Sequence, residues 1–327
     1  MNKKSKWHEL PNAIGACLGD VLWRTFDAHL LQNWDDTKLA ILPAQNDSCA
    51  KEGQKPFDCV EITLGVGNDI EAEKKLRNLL PSCRFYGADP ILASGKVFRE
   101  IGTYFELAVA EKTGVLEASV LENNAYQAKN VTAVTFLDMF KKYAKVDHID
   151  YLFMDNEGPE YPFFEQLQPG GDLANSGITI CQISVEMHGP LHAYYGMNES
   201  RFDDLIQATI KDTDYLPLWT VFGGYHIRSY YLNVRDQYCL ETFYRSKFYP
   251  RLEEGMYAVG ALTQITLINA LQFTHLWQLA SLNKFVELQQ RVVRFILGHV
   301  EAIMNDTDGR TAWDETIKKP DLVLSVQ

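Results

Sequence analysis

Between Cys59 and Cys239 the chain alternates short apolar runs with stretches of helical spacing, and this alternation limits the folds open to it. CVEITLG (59–65) is a β-branched run closing on glycine. NDIEAEKKLRNLLP follows as an amphipathic helix stopped by Pro81. CRFYGADP (83–90) reads as a second strand, ILASGKVFREIG as a second helix and YFELAVAE as a third strand, with GVLEASVLE as a hairpin partner. VTAV leads into TFLDMFKKYA, where Thr135 and Asp138 have the spacing of a capping box. IDYLFMDNEG (149–158) and ITICQISVEMHGP (178–190) are further strands, separated by the short helix EYPFFEQL. After the helix ESRFDDLIQATIK, the runs YLPLWTVFGG and YHIRSYYLNV have the spacing of an antiparallel terminal pair. Strands with apolar residues on both faces, separated by helices, predict a mostly parallel sheet covered on both sides.

The flanks read differently. Residues 12–34 have apolar positions at helical spacing, and 43–58 are polar and rich in breakers. The expected organisation is a helical N-terminal extension and linker over 1–54, an α/β domain over 55–248 and a helical C-terminal extension over 249–327. Residues 255–283 carry no formal charge, but Gln264, Asn269, Gln272, His275 and Gln278 interrupt them, which argues against a transmembrane span. Phe285, Leu288, Val292, Ile296, Val300 and Ile303 then form one helical stripe, suited to packing or helix-mediated self-association.

The formal charge of −12 repels phosphate backbones and anionic membranes, which points away from nucleic acid and toward a small-molecule substrate. Six scattered cysteines contain no CxxC pair, so a zinc ribbon and a thioredoxin-type motif are excluded. Cys59, Cys83 and Cys181 fall in or beside strands and read as buried thiols, whereas a bridge among Cys17, Cys49 and Cys239 is left open. The N-terminal MNKKSKWHELPNAIG is basic with no apolar run behind it, so the expected compartment is the cytoplasm.

Four groups of residues carry chemistry. Glu61-Ile-Thr63-Leu-Gly65-Val-Gly67-Asn-Asp69 lies at a strand-to-helix junction, where glycines allow close approach of a ligand and the helix start offers N–H groups. Ile70 replaces a glycine of the dinucleotide fingerprint, which disfavours a nicotinamide oxidoreductase. Asp89 closes the second strand about twenty residues on, the place for an acid that accepts hydrogen bonds from ribose hydroxyls. Asp155, Glu157 and Glu160 crowd the end of the fourth core strand. Glu186 and His188 end the fifth, adjacent in such a sheet. His188 or Glu186 can serve as general base, or Asp155, Glu186 and His188 can hold a divalent metal that orients an acceptor hydroxyl. His226 and Arg228 read as structural.

VTAVTFLDMF followed by IDYLFMDNEGPEYPFFEQL resembles the signature of the FkbM-type methyltransferase family. CVEITLGVGNDIEAEKKL with CRFYGADP is similar to the cofactor-binding half of its invertebrate branch. The resemblance covers about Cys59 to Cys239, and DNEGPE is its most specific element. It implies an α/β, Rossmann-like class I methyltransferase sheet, with S-adenosylmethionine as cofactor. Its cofactor contacts would come from Glu61, Thr63, Gly65, Gly67, Asp69 and Asp89, and its catalytic groups from Asp155, Glu186 and His188. It further implies O-methylation of a small molecule or sugar. The chain departs from the class pattern at Thr63, where many such enzymes carry an acid, and at Asp69, where a third glycine is usual. An inactive binding protein on the same fold is the alternative.

Overall fold

A computed structural model describes residues 7–15, 28–43, 58–189 and 198–244, apart from positions 13, 35, 123, 124 and 224. The C-terminal extension, with its apolar stripe and its proposed self-association, lies outside the described residues.

The strands in chain order are β1 (His29–Gln32), β2 (Thr37–Ala40), β3 (Val60–Leu64), β4 (Arg84–Ala88), β5 (Thr103–Phe105), β6 (Ala108–Ala110), β7 (Gly114–Glu122) and β8 (Ala125–Thr135). They continue as β9 (His148–Met154), β10 (Thr179–His188), β11 (Tyr215–Phe222) and β12 (His226–Asn233). The helices are α1 (Glu71–Leu79), α2 (Leu92–Gly95), α3 (Phe136–Asp138), α4 (Glu160–Gln166) and α5 (Glu199–Asp212). Seven strands form the central sheet in the order β11-β12-β10-β9-β3-β4-β5. All neighbours from β10 to β5 are parallel, and β12 is antiparallel to both β10 and β11. The sheet is thus a mixed, mostly parallel α/β layer, with the antiparallel pair where the sequence puts it. Its central strands are buried on both faces: every residue of β3 is buried, as are Ile149 to Met154 of β9. That is why their sequences lack strict alternation.

Thr135 accepts a hydrogen bond from the Asp138 backbone N–H at 3.0 Å, the expected cap of α3. YFELAVAE divides into two strands. β5 joins the main sheet, whereas β6 pairs with β8 in a separate three-stranded sheet with β7. This small sheet borders the C-terminal ends of the main strands.

Two expectations are corrected. The segment 12–34 was expected to be helical throughout, but β1 pairs antiparallel with β2, and the intervening turn is Asn33 to Asp36. Asn and Asp side chains bond nearby backbone and so favour turns over helices. The hairpin lies across the sheet: Leu39 N–H donates to Ser184 Oγ at 3.3 Å and Ile41 N–H to Gln182 Oε1 at 2.8 Å. Helical residues over 7–12 bring Trp7 against Phe202 of α5, ring centroids 4.8 Å apart. The second correction concerns the cysteines. Cys59, Cys83 and Cys181 are buried as expected but are not free: Cys59 pairs with Cys83 and Cys181 with Cys239. In-register β3 and β4 bring Cys59 and Cys83 to adjacent strand starts, a neighbourhood that sequence distance hides.

Candidate active site

One half of the site starts at the end of β3. Gly65 has φ +80° and donates its N–H to the Ala88 carbonyl at 2.9 Å. A Cβ there would stand 1.8 Å from the Asp155 carbonyl oxygen, so the next strand's end leaves room for glycine alone. Gly67 has φ +59°, and a Cβ on it would meet nothing within 4 Å, because it borders an open cavity. Its N–H donates to Asp89 Oδ2 at 3.0 Å, so the glycine turn and the acid of the second strand face each other. Asp89 Oδ1 accepts from Ile91 N–H at 2.7 Å and from Ser94 Oγ at 3.4 Å, and Tyr104 O–H holds the Asp89 carbonyl at 2.8 Å. The Val66 backbone is a further hydrogen-bond donor to this carboxylate. Burial pushes the Asp89 carboxyl up, and the bonds from Ile91 and Gly67 pull it back.

The cavity measures about 420 Å³, within the range of small-molecule sites. Asp155, Asn156 and Glu157 line it on one side, Leu107 to Ala110 on another, and Asn33, Trp34, Asp36 and Lys38 of the N-terminal hairpin on a third. The hairpin is tied to the glycine turn. Asn33 Oδ1 accepts from Ala72 N–H at 2.6 Å, and Asp69 Oδ2 accepts from Trp34 N–H at 2.5 Å. Asp69 Oδ1 also accepts from Glu71 N–H at 2.9 Å. The carboxylate of Asp69 therefore caps α1 and anchors the hairpin, although the residue lines the cavity.

Glu61 and Thr63 do not line it. Both are buried, Thr63 Oγ1 lying 2.6 Å from Glu61 Oε1 and 3.1 Å from Glu73 Oε1 of α1. In a strand covered on both faces, these side chains point into the packing beneath α1. Lys38 completes the cluster with Nζ 2.7 Å from Glu73 Oε1. Burial and the neighbouring Glu73 push the Glu61 carboxyl well up.

The other half of the site gathers acids around one imidazole. Asp155 N–H bonds the Leu64 carbonyl at 2.8 Å, tying the ends of β9 and β3. Glu157 sits at φ +57°, an unusual place for a non-glycine residue. Glu160 sustains that turn by accepting from the N–H groups of Asn156 and Gly158, each at 2.9 Å. His188 Nε2 is 3.1 Å from Glu157 Oε2 and 3.7 Å from Asp155 Oδ1, and its Nδ1 is 3.4 Å from Glu160 Oε1. Burial alone would lower the His188 pKa, but Glu160, Asp155 and Glu157 together push it up to about 10. Glu186 is held by His226 Nδ1 and Arg228 Nε, each at 2.9 Å; burial raises its carboxyl, but the His226 hydrogen bond and the Arg228 charge keep it low. Arg228 also meets Asp36 of the hairpin at 2.7 Å. Asp155 moves the opposite way: burial, then Glu186, raise it well above the ordinary carboxylate range. Its Oδ1 accepts no hydrogen bond.

Asp155, Glu186 and His188 are thus brought together, and Gly65, Gly67 and Asp89 meet at the neighbouring strand ends, with Gly65 against the Asp155 backbone. For a metal, the donor atoms of Asp155, Glu160 and His188 lie within 4.8 Å of one another. Glu186, the third member of the expected set, is already engaged by His226 and Arg228. Sequence reasoning missed Asp36 and Lys38. The available signal was the turn-forming Asn33-Trp34-Asp35-Asp36 between two short apolar runs.

An open, mostly parallel sheet with a cavity beyond the strand C-termini defines a Rossmann-like architecture. A family model for the methyltransferase FkbM domain matches residues 13–216, and the chain belongs to that family. The matched span includes the N-terminal hairpin. Three solved structures are similar at low identity. Fibrillarin of Aeropyrum pernix, solved with S-adenosyl-L-methionine, is 11% identical over 55% of this chain and 70% of its own, with a TM-score of 0.31. TrmK of M. capricolum, solved with S-adenosyl-homocysteine, is 10% identical over 75% and 92%, with a TM-score of 0.30. The plantazolicin methyltransferase BpumL, also solved with S-adenosyl-homocysteine, is 10% identical over 72% and 87%, with a TM-score of 0.30. No curated protein matches the chain. No helix among the described residues is long and apolar enough to cross a membrane.

Proposed function

We propose that this FkbM-family protein transfers the methyl group of S-adenosylmethionine to a hydroxyl of a small molecule or sugar, as its resemblance to the family's invertebrate branch implies. One observation carries the cofactor reading: the Gly67 N–H bonds Asp89 Oδ2 at the lip of an open cavity, so one nucleoside can span both. The donors around Asp89 fix its carboxylate at the cavity wall, where a hydrogen bond from a ribose hydroxyl is worth roughly 1.5–3 kcal/mol. S-adenosylmethionine, when bound, supplies a methyl group on a sulfonium. The chain must then align an acceptor oxygen and take its proton. Alignment alone is worth roughly 7–11 kcal/mol in such displacements. Asp155 is the candidate proton acceptor, because it lines the cavity with a side chain that is about one-third exposed, whereas Glu186 and Glu160 are held by protein donors. His188 Nε2 lies 3.7 Å from Asp155 Oδ1 and positions it, and the Glu186 charge raises the Asp155 carboxyl.

Titration calorimetry with S-adenosylmethionine, its demethylated product and NAD tests this reading. Binding of the first two, lost in Gly67→Arg and Asp89→Ala, supports it. A folded protein that binds no nucleoside points instead to an inactive binding module on the same fold.

A second reading has a divalent cation held by Asp155, Glu160 and His188, favoured by the proximity of their donor atoms. Such an ion would acidify the acceptor hydroxyl. Loss of turnover on chelation with recovery in magnesium or manganese supports it; turnover indifferent to chelation removes it.

The two disulfides favour an oxidising compartment over the cytoplasm, since such bridges rarely persist among reduced thiols. Mass spectrometry of the native protein, alkylated before and after reduction, tests this assignment.

A further inference from the structure

We propose that Lys38 receives the carboxylate at the amino-acid end of the cofactor, making the N-terminal hairpin a working wall of the cofactor site. The inference rests on the S-adenosylmethionine reading and deepens it. Among the described residues lining the cavity, Lys38 is the one basic side chain, set against acids that include Asp36, Asp89 and Asp155. S-adenosylmethionine carries a sulfonium and an ammonium, both positive, and a single carboxylate. A wall of carboxylates holding one ammonium is complementary to that charge pattern, and one point on it attracts the negative group.

The ammonium is a built feature. Lys38 is 5% exposed, its Nζ lies 5.3 Å from the centre of the Phe153 ring, and its hydrogen bond to Glu73 Oε1 uses one of three N–H donors. Asp36 Oδ2, at 3.9 Å, is beyond hydrogen-bond distance. Lys38 lines the same cavity as Gly65 and Gly67 of the glycine turn. The strand that would ordinarily serve the amino-acid end gives it nothing here, because Thr63 is buried against Glu61 and Glu73. The hairpin then supplies the basic partner that this strand does not.

The test compares two ligands on the full chain: S-adenosylhomocysteine, which has the carboxylate, and 5′-methylthioadenosine, which keeps the nucleoside and lacks the amino-acid end. Lys38→Met is expected to weaken the first by about 10- to 100-fold, the worth of a charge-assisted hydrogen bond, and to leave the second within about twofold. Because Lys38→Met strands Glu73 as a buried charge, the double variant Lys38→Met/Glu73→Gln is measured beside it and should show the same selective loss. Lys38→Arg should recover part of the homocysteine affinity. Equal losses for both ligands, or no loss for either, overturn the proposal. Wild-type protein that binds neither ligand defeats the cofactor reading itself, a result distinct from one in which both bind and the variants change nothing.

Discussion

The two ends of the central sheet are built on opposite principles. At the strand N-termini, covalent bonds and buried hydrogen bonds close the structure: both disulfides lie there, Cys59–Cys83 across the starts of β3 and β4, and Cys181–Cys239 from the start of β10 to the helix after β12. The buried Asp150 is satisfied by Val60 N–H and Tyr238 O–H, at 2.8 and 2.9 Å. At the strand C-termini, glycines hold the backbone open and charges are left to balance charges, as where His188 meets Glu157 and Arg228 meets Glu186. A group bonded to fixed backbone contributes to stability, and a carboxylate left without a bonded donor is available for chemistry. The contrast teaches that one end should lose activity when altered and the other should lose stability.

The largest expected effect breaks chemistry alone. Asp155→Asn keeps the shape of the side chain and removes the proton acceptor, so turnover should fall by about 10²–10⁴ while nucleoside affinity stays within a few-fold. Measuring the rate beside S-adenosylhomocysteine binding separates these outcomes. Turnover near wild type would take Asp155 out of the reaction and leave the C-terminal end without its assigned base.

Gly65 and Gly67 sharpen the contrast within that end. Gly65→Ala drives a Cβ into the Asp155 carbonyl at positive φ, so a destabilisation of about 3–5 kcal/mol is expected in a denaturant titration. Gly67→Ala meets open space and should cost about 1 kcal/mol, for the φ alone, while weakening nucleoside binding. Equal destabilisation by the two changes would show that the cavity beside Gly67 is not open as described.

These residues also show what was legible in the sequence. The glycine turn, Asp89 and DNEGPE each lie within a few consecutive residues, and local backbone geometry dictates their types, so their places could be read directly. Glu61 and Thr63 were read by analogy with a motif, but strand burial on both faces turns them beneath α1, away from the cavity. The hairpin escaped because its partners are remote: Lys38 meets Glu73 across 35 positions, and Leu39 meets Ser184 across 145. Helical spacing in a window that includes His29–Gln32 says nothing about either contact. The cysteine pairs were hidden for the same reason, since burial was written in the strands and pairing only in their register.

At the stapled end the expected effects are on stability. Replacing Cys59 and Cys83 together by serine should cost about 3 kcal/mol, and replacing Cys181 with Cys239 about 4 kcal/mol, on a chain-entropy estimate for loops of 24 and 58 residues' separation. Denaturant midpoints measure these losses. Rate constants for the remaining folded protein should stay near wild type, because neither pair borders the cavity. A fall in turnover without a fall in stability would mean that the two ends are coupled through the strands.

The smallest effect tests whether the closed end still carries an electrostatic cost. Burial pushes Asp150 from its ordinary 3.8 to about 6, against the bonds from Val60 and Tyr238 and the attraction of His148, while Asp58 adds repulsion. A carboxyl whose folded pKa lies above its unfolded value contributes stability below the unfolded value and loses that contribution as the pH rises through the folded one. The stability owed to Asp150 is therefore present near pH 4 and lost through about 6, a change on the order of 2 kcal/mol. Asp150→Asn keeps an acceptor for Val60 N–H and cannot ionise. The unfolding free energy of this variant minus that of wild type should climb by that amount between pH 4 and 7. A flat difference would mean that Asp150 ionises as readily in the fold as in the open chain, and that the closed end of the sheet is wetter than its packing implies.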